Sequence, residues 1–399
     1  MNATSLSNHD AMTALHWRDL LERMIAHRTI SSDDPALDCG NRTAVESLAD
    51  QLADAGFTCR LTPLPGRDDK VNLVATLGGD EYERSPGGLA LAGHIDTVPY
   101  DIDGWTSDPF RLTERDGRLY GLGTTDMKGF IALAAATAGE YATTPLAAPL
   151  SIVVSADEEC GMDGARLLAE TAAPARFCVI GEPTSLVPIR QHKGIFMETI
   201  ETLGAAGHSS NPAHGANAIE AMHQALGAVL SFRDALRARG EAAGFPVAHS
   251  TLNAGAIRGG DAANRIPARC RLDIDLRFLP GMAIDELRDE LRSRVNRALA
   301  GSDCQVRFTP LFPGTPAFET PADSPIVAAC ETLTGQTAAA VDFATEGAFY
   351  NAMGMESIVL GPGDIALAHQ PDEYLALDRI PPTQRILHGL IDRFCRNPV

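Results

Sequence analysis

The first half of the chain alternates short apolar segments with helical patterns, and this alternation restricts the possible folds more than any other feature. The strand-like segments are VNLVATL at 71–77, GLALAG at 88–93, LSIVVSA at 150–156 and FCVIGE at 177–182. Helical patterns such as IALAAATAGEYA at 131–142 lie between them. Such alternation is typical of a sheet covered by helices on both faces. We therefore expect an α/β fold with a mixed, mostly parallel sheet.

The pattern changes after residue 186. From 187 to 312 the chain contains strands with a two-residue period, such as GIFMETIETLG and CRLDIDLRF, together with two long helical patterns. The segment SIVLGPG at 357–363 then returns to the first pattern. The sequence therefore predicts one domain formed by residues 1–186 and 313–399, with an α+β domain inserted at 187–312.

The composition excludes several classes of protein. The chain has 33 Lys and Arg against 52 Asp and Glu, a formal net charge of −19. A nucleic-acid partner requires a clustered positive field, so we expect none. The N-terminal sequence contains neither a signal-peptide pattern nor an apolar run of about 20 residues, so we expect no membrane association. The eight cysteines are scattered singly, which favours reduced thiols and a cytoplasmic location.

Histidine and acidic residues follow the predicted strands or precede a predicted helix. His94 and Asp96 lie two residues apart in an extended segment, so they share a face, and the carboxylate could fix the imidazole tautomer. The other candidates are Asp126 in GLGTTDMKG, Glu158 and Glu159 after SIVVSA, Glu182 in GEPT, and His369 in a loop bounded by Gly and Pro. Each of them alone has an ordinary explanation, such as a helix N-cap or a solvated loop.

Taken together, these residues predict a metal centre. The carboxyl ends of strands in α/β sheets are where sites assemble. Carboxylates and imidazoles without cysteine suit divalent zinc, cobalt or manganese. Two histidines and three carboxylates can hold two ions if one carboxylate bridges them, and each ion then keeps one position open for water.

Seven motifs resemble those of the dinuclear zinc aminoacylase and carboxypeptidase family. They are GHIDTVP, GLGTTDMKG, SADEECG, GEPTS, GHSSNPAHGANAIE, GGDAANRIPARC and HQPDEYL, and they follow the family's order through essentially the whole chain. The resemblance implies two divalent ions per subunit, zinc or alternatively cobalt. It implies that His94 and Glu182 are terminal ligands of one ion and that Glu159 and His369 are those of the other. Asp126 would be the bridge.

The resemblance also implies separate roles for the two adjacent glutamates. Glu159 is the ligand, and Glu158 is the general base that takes a proton from water and returns it to the leaving amine. Asp96 is implied to orient His94. In the family the peptide bond that follows the bridging aspartate is often cis.

Further candidate residues lie in and after the inserted segment. The resemblance implies a homodimer formed through this lid and dimerisation domain, in which His208 reaches the partner's site and stabilises an oxyanion. It matches Asn264 to a substrate-binding residue and Arg277 to an arginine that binds a carboxylate. Glu346, in the apolar run VDFATEGAFY, is a candidate partner for a substrate ammonium group. Structural roles remain open for Asn264, Arg277 and Glu346.

The activity that the resemblance implies is the hydrolysis of an N-acyl amino acid. The expected reaction removes acetate from N2-acetyl-L-ornithine to give L-ornithine in arginine biosynthesis. Acetylcitrulline, succinyl-diaminopimelate and other N-acyl amino acids remain alternative substrates, because the same metal ligands serve them all. A metal-free, non-catalytic dimeric binding protein is a further alternative, although the intact ligand set and Glu158 argue against it.

Overall fold

The computed structural model describes residues 14–78 and 87–397. The chain divides into two compact units. Unit 1 comprises Met1–Pro188, Ala322–Ala338 and Phe349–Val399, and unit 2 comprises Ile189–Pro321 and Ala339–Ala348. Unit 2 therefore extends beyond residue 312, where the inserted domain was predicted to end, and includes a second short segment.

The helices and strands of the described residues are numbered in chain order. The helices are α1 (Trp17–Ala26), α2 (Arg42–Asp54), α3 (Lys128–Gly139), α4 (Asp163–Leu168), α5 (Ala218–Arg237), α6 (Ile284–Ala298), α7 (Pro325–Thr334), α8 (Gly347–Ala352) and α9 (Ile380–Ile391). The strands are β1 (Thr58–Leu64), β2 (Arg67–Leu77), β3 (Leu89–His94), β4 (Thr113–Arg115), β5 (Arg118–Tyr120), β6 (Leu150–Ser155), β7 (Phe177–Ile180), β8 (Ile189–His192), β9 (Gly194–Leu203), β10 (Gly207–His208), β11 (Thr251–Gly259), β12 (Arg265–Ile266), β13 (Arg269–Phe278), β14 (Gln305–Pro310), β15 (Phe318–Glu319), β16 (Ala339–Val341), β17 (Glu356–Val359) and β18 (Tyr374–Ala376).

Unit 1 is built on a sheet with the strand order β1-β2-β6-β3-β7-β17. Strand β3 pairs in parallel with β6 and β7, and β17 pairs in parallel with β7. Strands β1 and β2 extend the sheet in antiparallel pairings. Every residue of β3, β6 and β7 is buried, as expected for strands covered on both faces. The predicted mixed, mostly parallel sheet is confirmed.

Helix α3 is buried along almost its whole length. All its residues except Gly139 are buried, and it contacts α1, α9, β3 and β6. An alanine-rich sequence that is apolar on every side suits this position between the sheet and the outer helices. The burial of α3 fixes the place where the preceding loop, which contains Asp126, enters the helix.

Unit 2 contains a four-stranded antiparallel sheet with the order β11-β13-β9-β14. The residues of β13 alternate between buried and more exposed positions, as its two-residue sequence period predicts. Helices α5 and α6 pack on each other and on this sheet. Elsewhere in unit 2, β8 pairs with β15 and β16, and β10 pairs with β12. In the described part of the chain, none of the helices combines the length and apolar character needed to cross a membrane.

Candidate metal centre

Three parallel strands of unit 1 deliver candidate ligands to one edge of the sheet. Strand β3 ends at His94, which pairs with Ser155 at the end of β6. Glu158 follows three residues after Ser155, and Glu182 follows two residues after Ile180, the last residue of β7. Parallel pairing places these strand ends side by side, so the polar residues that follow them converge.

Two loops complete the cluster. Asp126 precedes Met127, the N-cap residue of α3, and the peptide bond between them is cis, as the resemblance implied. His369 lies in the loop before β18 and has a φ of 60°, in the left-handed region that residues other than glycine adopt uncommonly. Strained backbone of this kind concentrates at functional sites.

Asp126 lies between the two histidines. Its Oδ1 is 3.3 Å from His94 Nε2, and its Oδ2 is 3.4 Å from His369 Nε2. Glu159 Oε2 is 3.1 Å from His369 Nε2, whereas Glu158 Oε2 and Glu182 Oε1 are 3.8 Å and 3.9 Å from His94 Nε2. The two adjacent glutamates thus face different histidines.

These separations fit metal ligands. Atoms bound tetrahedrally to zinc at about 2.0–2.1 Å lie about 3.3 Å from one another. Potential ligand atoms of His94, Glu158 and Glu182 lie within 4.8 Å of one another, and so do those of His94, Asp126 and Glu159. Among the described residues, neither His94 Nε2 nor Asp126 Oδ1 has a hydrogen-bond partner although both are buried. Buried polar atoms without partners are unusual in folded proteins, and a cation bound between them would satisfy both.

The cluster also favours positive charge at both histidines. Burial lowers the pKa of His94, but the carboxylates of Asp126 and Glu158 outweigh it and raise the pKa well above its ordinary value. Hydrogen bonds with Asp126 and Glu159 raise the pKa of His369 to about 10. For Asp126, burial opposes ionisation, yet the two histidines hold its pKa below the ordinary value. A divalent ion would replace the protons that the histidines otherwise hold.

Asp96 contacts His94 through its main-chain oxygen, whereas the prediction assigned this contact to its carboxylate. His94 Nδ1 donates to the main-chain oxygen of Asp96 at 2.9 Å, while the nearer carboxylate oxygen is 3.7 Å away. Asp96 Oδ2 instead accepts a hydrogen bond of 3.1 Å from the Glu159 amide. The main chain of Asp96 therefore fixes the His94 tautomer, and its side chain holds the turn that contains Glu159.

The turn that carries both glutamates has its own support, which sequence reasoning missed. Asp157 has a φ of 63°, and its main-chain oxygen accepts hydrogen bonds from Gly161 and Met162 at 3.1 and 2.8 Å. Its side chain pairs with Lys70, which is 3% exposed and also contacts Asp38 at 2.7 Å. Lys70 lies far away in the sequence, on β2, so no local pattern indicated this contact.

Gly361 and Gly363 allow the chain segment before His369 to lie close to the loops that contain Asp126 and Glu182. A Cβ atom added to Gly363 would lie 2.6 Å from the Thr125 carbonyl oxygen and 2.8 Å from Pro183 Cβ. A Cβ atom at Gly361 would lie 2.4 Å from the Glu182 carbonyl oxygen. Since real Cβ atoms do not make contacts this short, the GPG segment requires glycine at both positions.

Glu373 is a further residue that sequence reasoning missed. It belongs to the motif HQPDEYL and follows His369 by four residues, but the sequence analysis assigned it no role. Its carboxylate is buried and accepts main-chain hydrogen bonds from the Asp126 loop. Burial raises the pKa of Glu373 to about 8.

The candidates in unit 2 do not form one cluster. His208 and Asn264 are exposed neighbours, because β10 pairs with β12 and the Ser209 amide donates to the Asn264 carbonyl at 3.2 Å. Arg277 lies near the far end of β13 and pairs with Asp275, with Nε 3.0 Å from Oδ1. Strand rise places it roughly 25 Å from the beginning of β13. The structure therefore groups His208 with Asn264 and separates both from Arg277.

Glu346 is fully buried just before α8. The preceding Thr345 donates its amide to His192 Nε2 at 3.1 Å, while His192 Nδ1 lies 2.9 Å from the Lys193 carbonyl oxygen. The Lys193 oxygen can only accept, so Nδ1 carries the proton. Nε2 also lies 3.1 Å from the Thr345 carbonyl oxygen, but it accepts from the Thr345 amide, so the ring is neutral. Burial accordingly lowers the pKa of His192 to about 4. His192 thus anchors the segment that holds Glu346.

Comparison with solved structures identifies the fold. The chain superposes on a tripeptidase from Staphylococcus aureus with a TM-score of 0.70 at 18% identity, covering 95% of this chain and 98% of that one. An M20 family metallo-carboxypeptidase from Sulfolobus solfataricus gives a TM-score of 0.71 at 15% identity, covering 94% and 98%. A Bacillus subtilis protein described as a dinuclear metal-binding peptidase of the M20 family gives 0.64 at 15% identity, covering 94% and 96%.

Sequence comparison identifies the family. The chain is 46% identical over 378 residues to the acetylornithine deacetylase of Edwardsiella ictaluri strain 93-146, covering 94% of this chain and 97% of that protein. Residues 90–393 match peptidase family M20/M25/M40, and this range includes every residue of the candidate metal cluster. The chain is therefore a hydrolase that belongs to peptidase family M20/M25/M40.

Proposed function

We propose that this hydrolase removes the acetyl group from N2-acetyl-L-ornithine, giving L-ornithine and acetate in arginine biosynthesis. The name of the Edwardsiella relative supports the choice of substrate. The observation that carries the chemistry is the position of Asp126, which presents one carboxylate oxygen to each of two histidines beside the two adjacent glutamates. This arrangement suits a pair of metal ions that share a bridging ligand.

The metal pair would be held as the family pattern implies. His94 and Glu182 would complete one site, Glu159 and His369 the other, and Asp126 would belong to both. Zinc is the proposed metal, with cobalt as the alternative, because imidazole and carboxylate ligands suit both ions. When bound, the ions would polarise the amide carbonyl and lower the pKa of a water molecule.

The proton transfers fall to Glu158. Its side chain is 9% exposed and lies on the His94 side of the cluster, within 3.8 Å of Nε2. We propose that Glu158 takes the proton of the attacking water and then gives it to the departing amine, which leaves poorly as an anion. The main-chain oxygen of Asp96 would keep His94 oriented during both proton transfers.

The positions of the candidate residues in unit 2 support the proposed dimer. The exposed pair His208 and Asn264 belongs to the segments around β10 and β12, before the opposite end of β13, which strand rise places roughly 25 Å from Arg277. If Arg277 holds the substrate carboxylate, the partner subunit's His208 would then supply the oxyanion donor. Strand β11 offers a surface for such pairing, because it lies at the sheet edge and is mostly exposed.

Substrate selection is proposed to involve Glu346. Acetylornithine carries a δ-ammonium group, whereas acetylcitrulline carries a neutral ureido group in its place. A buried carboxylate would discriminate between them, because a desolvated charge pair is much stronger than its neutral counterpart. We also propose a cytoplasmic location, in keeping with eight cysteines that are thiols rather than disulfides in the described part of the chain.

A substrate panel tests the proposed function. The specificity constants for N2-acetyl-L-ornithine, acetylcitrulline and N-succinyl-diaminopimelate would be measured by amine release, with metal-loaded protein and with chelator-treated protein. We expect acetylornithine to be preferred and activity to depend on the added metal. A preference for either of the other substrates would overturn the ornithine proposal, and equal rates without metal would overturn the metal-dependent chemistry.

A further inference from the structure

The buried carboxylate of Glu373 contacts the loop that contains Asp126, the proposed bridging ligand. The residue is 2% exposed and immediately precedes β18. Its Oε1 accepts hydrogen bonds from the amides of Thr125 at 2.7 Å and Asp126 at 3.0 Å. Its Oε2 accepts one from the Gly123 amide at 2.9 Å. Both oxygens are therefore engaged by the loop that presents Asp126.

Other contacts already join the same two segments. Strand β18 pairs with β5, and the Gly121 amide donates to the Glu373 carbonyl at 3.2 Å. Thr125 Oγ1 donates to the Tyr374 carbonyl at 2.6 Å. These contacts join the loop to β18 independently of the Glu373 carboxylate. The carboxylate does something more specific, because it orients the amides that immediately precede the Asp126 side chain.

A carboxylate is a demanding choice for a purely structural contact. Burying it is unfavourable unless its oxygens are well satisfied, and an uncharged amide side chain would be easier to bury. In return, its two oxygens can accept hydrogen bonds from three amides at once, which an amide side chain cannot do. A bridging ligand needs a loop held at several points, because its two oxygens must face two histidines at once.

We infer that Glu373 is a positioning residue that holds Asp126 in its bridging orientation and couples it to the His369 loop. The inference rests on the proposed two-metal function. Glu373 touches neither the proposed metal positions nor the substrate; it acts through the main chain of Asp126. Since Asp126 would serve both ions, loss of this support should weaken both sites together, unlike the loss of a terminal ligand.

Two substitutions at Glu373 and one in the facing loop test this inference. Glu373→Gln keeps the side-chain shape but retains at most two of the three hydrogen bonds, because its NH2 group must face an amide donor. Thr125→Val is the matched control: it removes the hydroxyl contact to Tyr374 but leaves the three amide hydrogen bonds intact. Cobalt binding to the metal-free proteins would be followed by visible absorption, and the thermal unfolding midpoint of each metal-free protein would be measured.

We expect Glu373→Gln to lower the affinity for both cobalt ions by about tenfold or more, the usual effect of losing a residue that supports metal ligands. Its kcat at saturating metal should fall with little change in KM. Thr125→Val should bind cobalt within about twofold of wild type, even where its midpoint falls equally. Glu373→Asp, which keeps the carboxyl group but not the reach, should show the same loss of affinity and serves if the glutamine variant does not fold.

Two results would overturn the inference. One is unchanged cobalt affinity in both Glu373 variants despite a lower unfolding midpoint, which would make the residue structural only. The other is an equal loss of affinity in Thr125→Val, which would show that any loop contact suffices. Failure of the proposed function is distinguishable from both, because wild-type protein would then not bind two cobalt ions or would not hydrolyse acetylornithine.

Discussion

The candidate residues of unit 1 and those of unit 2 behave differently. In unit 1, residues from five separate segments meet in one cluster, which is buried at His94 and Asp126, with side chains 0% and 7% exposed, and open at His369, which is 50% exposed. In unit 2, His208 and Asn264 are exposed, and Arg277 is already paired with Asp275. The first set forms a site within the chain, whereas the second set does not.

The two sets of residues differ in whether a single chain contains the whole arrangement. The unit 1 cluster depends on parallel strands whose order and register fix their ends relative to one another. The unit 2 residues would act on a substrate, and in the proposed dimer some of them would act on the partner's substrate. A single chain contains the whole of the first arrangement and only part of the second.

The largest expected effect concerns Glu158, the proposed general base in unit 1. Glu158→Gln should lower kcat by about 10²–10⁴-fold, the range for loss of acid–base catalysis, while both metals remain bound. Glu159→Gln is the matched neighbour and should instead weaken one metal site. Rates and metal content measured on both variants check this division, and an active Glu158→Gln enzyme would contradict it.

The next prediction tests whether unit 2 contributes from outside the chain. His208→Ala should lower kcat by about 10²–10³-fold, as for loss of an oxyanion donor. Equal mixing with inactive Glu158→Gln should restore about a quarter of wild-type activity, because half the dimers are mixed and each contains one intact site.

Subunit exchange must be demonstrated for that experiment, for example with differently tagged chains. No recovery after exchange would mean that His208 does not act on the partner's substrate. It would also remove the distinction between a unit 1 site complete in one chain and a unit 2 contribution shared between chains.

The third prediction concerns pH and the histidine that anchors the Glu346 segment. His192 has a pKa lowered to about 4, so between pH 6.5 and 4 the unfolded chain binds a proton that the native chain does not. Stability therefore falls as the pH falls through this window, by about 3 kcal/mol in total from this group.

His192→Gln provides the comparison, because glutamine has a donor and an acceptor but does not titrate. Its unfolding free energy should depend less on pH than that of wild type over this window, as measured by urea unfolding at several pH values. An identical pH dependence would show that His192 does not stay neutral in the native protein.

The smallest expected effect is on specificity. Glu346→Gln should reduce kcat/KM for acetylornithine by about tenfold or more and reduce that for acetylcitrulline far less, because only the first substrate carries the ammonium group. Equal reductions for both substrates would assign Glu346 to structural support. The two specificity constants measured side by side decide between these roles.

Much of unit 1 could be predicted from sequence because its signals are local. The apolar runs of β3, β6 and β7 identify buried parallel strands, and the polar residues after them identify the edge where a site forms. The roles within the cluster came from resemblance to a family, because spacing alone does not say which carboxylate bridges. The cis peptide after Asp126 was anticipated in the same way.

The missed features share a physical cause. Glu373 accepts from main-chain amides, and His94 donates to a main-chain oxygen, and neither contact leaves a side-chain pattern in the sequence. Lys70 lies on β2, and Asp157 follows the neighbouring strand β6, so their pairing depends on the order of the strands in the sheet. The separation of Arg277 from His208 required the strand pairings of unit 2, which the period of β13 does not reveal.

Metal analysis of the purified protein is the most direct test of the bridged two-metal centre. Wild-type protein and Asp126→Ala, both prepared without chelator and dialysed equally, would be compared by elemental analysis. We expect about two divalent ions per chain in wild type and less than one in Asp126→Ala, because both sites share this ligand. A single ion per wild-type chain, or equal metal content in the two proteins, would contradict the bridged two-metal centre.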